Sequence, residues 1–343
     1  MSKVLYIIGL GLFTFSCTTQ KKITKSTYKP KTTTAKTNIA PATTPTTPVK
    51  PHISSMNGVD FFTTNISDIT KNDNTISYGS IVSAKPLGYK INKNYFPAVA
   101  QNFRVKYLIL HYTALPDDKS ITVLTQQAVS SHYLVNNLGD NDIYQLVDEN
   151  KRAYHAGISA WRGDKNLNDT SIGIEIVNPG YKTDSIGKRV FEPFNDAQVR
   201  KVAALAKDIV TRYNIPATNV LAHSDIAPTR KQDPGPLFPW KKLYDEYQIG
   251  MWYDDAAKQM FMDQANLAGD FAVKMNDASF IFNVQLSLQK FGYGMDSSGK
   301  WDDATKKTLE AFQYHFRPQN HDGILDIETW AILQALIQKY PTK

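Results

Sequence analysis

From residue 104 onward the apolar positions fall into short continuous runs and longer periodic stretches. Val105 to Tyr112 (VKYLILHY) is rich in β-branched and aromatic residues and predicts a buried strand. Ser131–Asn136 and Asp142–Val147 flank Gly139-Asp140, a turn signal, and predict a hairpin. Ser171–Asn178 (SIGIEIVN) predicts a further strand, stopped by Pro179-Gly180. Within it Ile174 and Ile176 project to the face opposite Glu175, which is consistent with a carboxylate facing a cleft. Asn195 caps a predicted helix to about Tyr213, because Val199, Val202, Leu205, Ala206, Ile209, Val210 and Tyr213 share one face. Asn219–His223 is a short strand. Strands interleaved with helices predict an α/β fold, a mixed central sheet flanked by helices.

The last 70 residues read differently. Ser279–Phe291, Asp302–Phe316 and Asp326–Tyr340 predict three helices, punctuated by Gly292-Tyr293-Gly294 and Asp322-Gly323. Leu286, Leu288 and Phe291, then Ala304, Leu309 and Phe312, then Ile327, Trp330, Leu333 and Leu336 would build a small helical core. At the other end, Val4 to Phe15 is an uncharged run of 12 residues after a basic start, and Cys17 follows. A membrane-crossing helix needs about 20 residues, so this run fits the apolar region of a secretory signal. The start resembles a bacterial lipoprotein signal, which implies a lipid on Cys17.

The pattern divides the chain into a lipoprotein signal peptide (1–17), a Thr/Lys/Pro-rich disordered tether (18–50), an N-terminal extension packed on the next domain (51–100), an α/β domain (101–250), a connecting segment (251–276) and a helical domain (277–343). Charge then removes one function class. The formal net charge is +7, but residues 1–50 hold eight lysines and no Asp, Glu or Arg, leaving 31 basic against 32 acidic side chains elsewhere. The body is near neutral and carries no electrostatic footprint for nucleic acid. A single cysteine excludes a disulfide framework and any Cys-rich zinc module.

Candidate chemistry gathers where strands end. His111 closes the first strand, His223 closes the last, and Asp233 follows ten residues later. Three N and O ligands with a fourth position open are what a catalytic zinc requires. Taken singly, histidines at strand ends are more often hydrogen-bonded structural residues.

Taken together, LILHYT (108–113), SSHYLV (130–135), YHAGISAWRG (154–163), NDTSIGIE (168–175) and HSDIAPTRKQDPGPLFPW (223–240) are similar in order and spacing to one family. Residues 88–343 resemble the zinc-dependent N-acetylmuramoyl-L-alanine amidases of the amidase-2 type, and among them the AmiD-like lipoprotein amidases. The resemblance implies a peptidoglycan-recognition-protein-like fold and one zinc ion on His111, His223 and Asp233. It implies Glu175 and Lys231 as the catalytic pair, and hydrolysis of the bond between N-acetylmuramic acid and L-alanine in peptidoglycan or muropeptides, in cell-wall turnover. His132, His155, Ala156 and Trp161 fall in motifs that line the family's cleft; a packed aromatic or a structural histidine is the other reading of each. The C-terminal helices resemble a peptidoglycan-binding domain, with a purely structural appendage as the alternative. The implied setting is the cell envelope, with a lipid anchor in the outer membrane facing the periplasm and a monomeric chain. A non-catalytic peptidoglycan-binding lipoprotein on the same fold is the second function class, marked by loss of a metal ligand.

Overall fold

Strand β1 (Tyr107–Tyr112) is the apolar run expected from the sequence, and Leu108, Ile109 and Leu110 have no exposed surface. It lies inside a five-stranded sheet with β2 (Tyr133–Val135), β3 (Tyr144–Gln145), β4 (Ser171–Ile176) and β5 (Val220–Ala222), in the order β5-β1-β4-β2-β3. All neighbours are parallel except the β2–β3 pair. The computed structural model describes residues 102–342 together with the backbone of two antiparallel strands, His52–Met56 and Val59–Thr63. Cys17, the leader, the 18–50 segment and the remainder of the 51–100 extension lie outside the described residues.

Helix α1 (Asp117–Gln126) follows β1, and helix α2 (Asp196–Tyr213) packs across β1, β2 and β4. The expected cap is present: the Asn195 side chain accepts from the Gln198 amide at 2.8 Å. Val199, Val202, Ala206, Ile209 and Tyr213 are buried, while Leu205 and Val210 sit half-buried at the edge of that stripe. The predicted hairpin is shorter than its hydrophobic pattern. Lys201 is buried and donates to Asn136 Oδ1 at 2.6 Å and Asp140 Oδ1 at 2.5 Å, so side chains hold the loop in place of ladder bonds.

A single helical turn, α3 (His223–Ile226), leaves β5, and α4 (Trp240–Tyr247) closes the α/β domain. The connecting segment is itself helical, with α5 (Asp255–Ala268) lying along the last helix. Helices α6 (Ala278–Phe291), α7 (Asp303–Phe316) and α8 (Ile327–Lys339) start at Asp277, Asp302 and Asp326, whose carboxylates each accept an amide of the first turn. Leu288, Phe291, Leu309, Phe312, Leu333 and Leu336 are buried as the pattern predicts, but Leu286 and Ala304 are exposed. The true stripe on α6 runs Ile281, Val284, Leu288, Phe291, a spacing of three and four that leaves Leu286 on the far side.

The core of the helical domain is continuous with that of the α/β domain. Phe291, Tyr293, Phe312 and Phe316 belong to the same buried cluster as Ile109, Ile174 and Ile209 of the α/β domain. Gly292-Tyr293-Gly294 ends α6 and is also a docking surface. A Cβ on Gly292, which has φ +156°, would come within 2.7 Å of the Trp161 ring, and one on Gly294 within 2.6 Å of Ala160 Cβ. Arg162 donates across the same joint to the carbonyls of Phe291 and Tyr340, at 3.0 and 3.1 Å. A boundary at residue 277 therefore cuts through one continuous interior.

Candidate metal centre

Parallel pairing of β1 with β4 places His111 directly opposite Glu175, near the carboxyl ends of both strands. That is where open α/β sheets collect their ligands. His223 follows the neighbouring strand β5 as the first residue of α3. The loop beyond it folds back, because the Ser224 amide donates to the Asp233 carbonyl at 3.0 Å, and the Asp233 carboxylate returns beside His223. His111 Nδ1 and His223 Nδ1 are 2.9 Å apart, and Asp233 Oδ2 lies 3.0 and 2.9 Å from them. All three residues are buried.

The hydrogen bonds on the far sides of the two imidazoles decide what those Nδ1 atoms carry. Ser171 Oγ donates to the Leu167 carbonyl at 2.6 Å, so at 3.1 Å it accepts from His155 Nε2. His155 Nδ1 is then an acceptor, and it takes the proton on His111 Nε2 at 3.0 Å. His223 Nε2 faces the Ala156 carbonyl at 3.1 Å and must donate there. Both protons are thereby held on Nε2, and both Nδ1 lone pairs point at each other and at a carboxylate oxygen. A proton can bridge only two of these three atoms. A metal ion satisfies all three, so the residues present fit one.

The electrostatics agree. Burial, with the neighbouring His223, pushes the His111 imidazole down to about 4. Burial alone would raise the Asp233 carboxyl, but positive charge at the His223–His111 corner holds it well below the usual carboxylate range, so the carboxylate favours a cation there. Burial pushes Glu175 well above its ordinary value, reinforced by Asp233 and opposed by Lys231. Glu175 Oε2 is shielded from solvent and has no hydrogen-bond partner among the described residues. Glu175, Lys231, His223 and Asp233 line a cavity of about 400 Å³, walled by Tyr154 and Tyr181 and by Ser120 and Leu124 of α1. A carboxylate with a high proton affinity, a lysine and a triangle that fits a metal ion thus share one cleft.

The candidates expected to line the cleft separate, and their positions in the sequence give no warning of it. His155 lines the cavity, and its ring orients His111. Ala156 is buried and contributes its carbonyl to His223 and to Arg230. His132 is buried away from the cavity, accepting from the Gly173 amide and donating to the Lys151 carbonyl, both at 3.1 Å. Trp161 has no exposed surface; it packs on Phe291 and Tyr293 and donates to the Thr218 carbonyl at 2.9 Å. Sequence reasoning missed Ser171, which sets the tautomers, and Asn168, whose Oδ1 accepts from the amides of His155 and Ala156 at 3.1 and 2.7 Å. It also missed Gly173, where a Cβ would meet the His155 ring at 2.6 Å. A signal existed in that glycine, which stands between Ile172 and Ile174 in a buried strand where another group approaches closely.

A family model described as N-acetylmuramoyl-L-alanine amidase matches residues 101–236, and one described as a peptidoglycan binding domain matches residues 278–333. The chain is 45% identical over 242 residues to the N-acetylmuramoyl-L-alanine amidase AmiD of Escherichia coli K12, covering 69% of this chain and 84% of that protein. The solved complex of E. coli AmiD with its substrate anhydro-N-acetylmuramic acid-L-Ala-D-γ-Glu-L-Lys superposes with a TM-score of 0.66 at 40% identity, covering 75% of this chain and 97% of that one. AmpDh3 of Pseudomonas aeruginosa, solved in complex with an anhydromuramic pentapeptide, gives a TM-score of 0.65 at 41% identity, covering 74% and 99%.

Proposed function

Because the chain belongs to the N-acetylmuramoyl-L-alanine amidases, we propose that it is a zinc enzyme that cuts the amide between the lactyl group of N-acetylmuramic acid and L-alanine, with anhydro-muropeptides as its substrate class. The observation that carries this reading is the triangle of electron-pair donors beside Glu175 and Lys231. Tetrahedral donors at 2.0–2.1 Å from zinc stand about 3.3 Å apart, within a few tenths of an ångström of the 2.9–3.0 Å edges here. The N,N,O set with an open fourth position is the zinc hydrolase pattern. Substrate class comes from the two relatives solved with anhydromuramyl peptides.

When bound, zinc supplies a Lewis acid that polarises the scissile carbonyl and acidifies water. Glu175 accepts the proton of the attacking water. Its burial makes it hold that proton and then deliver it to the departing alanine nitrogen. Lys231, lining the same cavity, offsets the negative charge that develops on the carbonyl oxygen. Arg230 donates to the carbonyls of Ala156 and Ile158, both at 2.9 Å, and keeps that wall of the cleft in place.

Position in the cell belongs to the same proposal. Cys17 after an apolar run supports a lipid anchor, with 18–50 as its tether; the proposed setting is the outer membrane, facing the periplasm, with the chain acting as a monomer. The match of residues 278–333 to peptidoglycan-binding domains supports a wall-facing role for the helical half.

The test is hydrolysis of a purified anhydro-muropeptide with the fragments identified by mass. Free anhydro-N-acetylmuramic acid and intact stem peptide are expected. Glu175→Gln should keep one zinc per chain and lose about 10²–10⁴ in turnover, the usual worth of a general base. Near-wild-type turnover in that variant would remove Glu175 from the mechanism.

A further inference from the structure

Asp225 is fully buried, two residues beyond His223, and the chemistry above does not use it. Three donors surround its carboxylate. Oδ2 accepts from the Ala222 amide at 2.8 Å and from His315 Nδ1 at 2.7 Å, and Oδ1 accepts from the Tyr293 hydroxyl at 2.9 Å. Two of the three come from the helical domain. Burial and the facing carboxylate push the Tyr293 phenol well above its ordinary value, so it remains a donor. The His315 ring is stacked between Trp240 and Phe316, each 3.9 Å away between centroids at interplanar angles of 20° and 6°. It can neither swing away nor be replaced by water.

The position of Asp225 matters because of what it closes. By accepting from the Ala222 amide it fastens the turn whose first residue is His223. That imidazole has no freedom to spare: Nε2 must reach the Ala156 carbonyl while Nδ1 reaches His111 and Asp233. A buried carboxylate that loses its donors is costly and rotates or draws in water to recover them. Rotation of Asp225 would turn His223 with it. Other contacts across the joint, such as Arg162 on the carbonyls of Phe291 and Tyr340, hold the two halves together without touching this turn.

We infer that His315 and Tyr293 are positioning residues for the metal centre: the helical domain clamps Asp225, and Asp225 fixes the turn that presents His223 Nδ1. The helical half is on this account part of the catalytic unit, whatever it binds besides. The inference rests on the metal reading of His111, His223 and Asp233.

The experiment measures zinc affinity by competition with a chromophoric chelator, and visible absorption after cobalt substitution, beside thermal melting. His315→Phe keeps the stack and removes the donor; it should weaken zinc binding at least about tenfold, as loss of ligand-orienting groups does, and alter the cobalt spectrum. His315→Asn, which restores an N–H near the Nδ1 position, should recover affinity to within about threefold. Arg162→Met should lower the melting temperature and leave zinc affinity unchanged. Tyr293→Phe removes the second donor with little change of shape, and it carries the same expectation in smaller measure should His315→Phe fail to fold. Zinc affinity unchanged in the donor-free variants, or falling equally in Arg162→Met, overturns the inference and leaves the metal reading standing. A wild-type chain that takes up no zinc overturns both.

Discussion

Asp225 and Asp233 lie at the two ends of one short loop, both buried, and their surroundings offer them opposite things. Asp225 faces an amide, a phenol and an imidazole N–H. Asp233 Oδ2 faces two imidazole nitrogens whose protons are committed elsewhere, to His155 and to the Ala156 carbonyl. Protein groups alone complete the first site, which makes it a joint. The second brings three electron pairs together, an arrangement that fits a cation. Residue type would not have distinguished them, since each is an aspartate beside histidine; the direction of the hydrogen bonds does.

Exchanging the two carboxylates for amides gives the largest expected effect. Asp233→Asn removes the anionic corner of the triangle, so zinc content should fall below one tenth per chain and hydrolysis by at least about 10³-fold, because carbonyl polarisation and water activation are lost together. Asp225→Asn should still hold one zinc at saturating metal. It turns one buried acceptor into a donor facing donors, a mismatch worth about 1–3 kcal/mol of stability. Metal analysis and denaturant unfolding read the two outcomes separately. Equal zinc loss in both variants would erase the distinction between joint and metal centre.

Acid sharpens the same contrast in the chelated protein. His111 titrates near pH 6.5 in the unfolded chain and at about 4 when folded, because burial and then His223 disfavour its charged form. Between those values the unfolded state binds a proton that the folded state refuses. Its stabilising contribution is complete above pH 6.5 and is lost as the pH falls toward 4. His132 and His155 are shifted in the same direction by burial. Asp233, held low, acts further down: its contribution is present above pH 3.8 and disappears below it. From pH 7 to pH 5, His111 alone should cost about 2 kcal/mol in urea unfolding with chelator present. A flat profile over that range would show that the imidazole is not held neutral.

The three residues of the triangle were legible because they stand at places the pattern marks. His111 ends an apolar strand, His223 follows another, and Asp233 closes a long motif. Glu175 was legible through alternation, its neighbours Ile174 and Ile176 being buried on the opposite face. Ser171, Asn168 and Asp225 were not, because a short polar residue in a strand or turn has no meaning until its partners are known. Those of Asp225 lie 68 and 90 residues away. Trp161 shows the same limit from the apolar side. Its motif placed it by the cleft, but its size and the glycine at 292 make it the plug of the joint between domains. The helical half looked separable for a related reason: periodicity reports which face of a helix is apolar and not which domain that face is buried against.

The smallest effect tests the metal side of the comparison at its outermost bond. Ser171→Ala removes the acceptor of His155 Nε2–H in a fully buried setting. His155 then loses its reason to keep that proton, and the alternative tautomer carries it on Nδ1, where it meets the proton on His111 Nε2. Two donors cannot face each other at 3.0 Å, so His111 would shift its own proton to Nδ1, the atom the metal needs. Zinc competes with that shift and wins at high concentration. The variant should therefore bind zinc about tenfold more weakly, in the range seen when ligand-orienting groups are lost. Turnover at saturating zinc should stay near that of the wild type, because Glu175 and Lys231 are untouched. Unchanged affinity would mean that Asp233 and His223 alone set the protonation of His111. A fall in turnover without a fall in affinity would place Ser171 in the substrate cleft and not behind the metal.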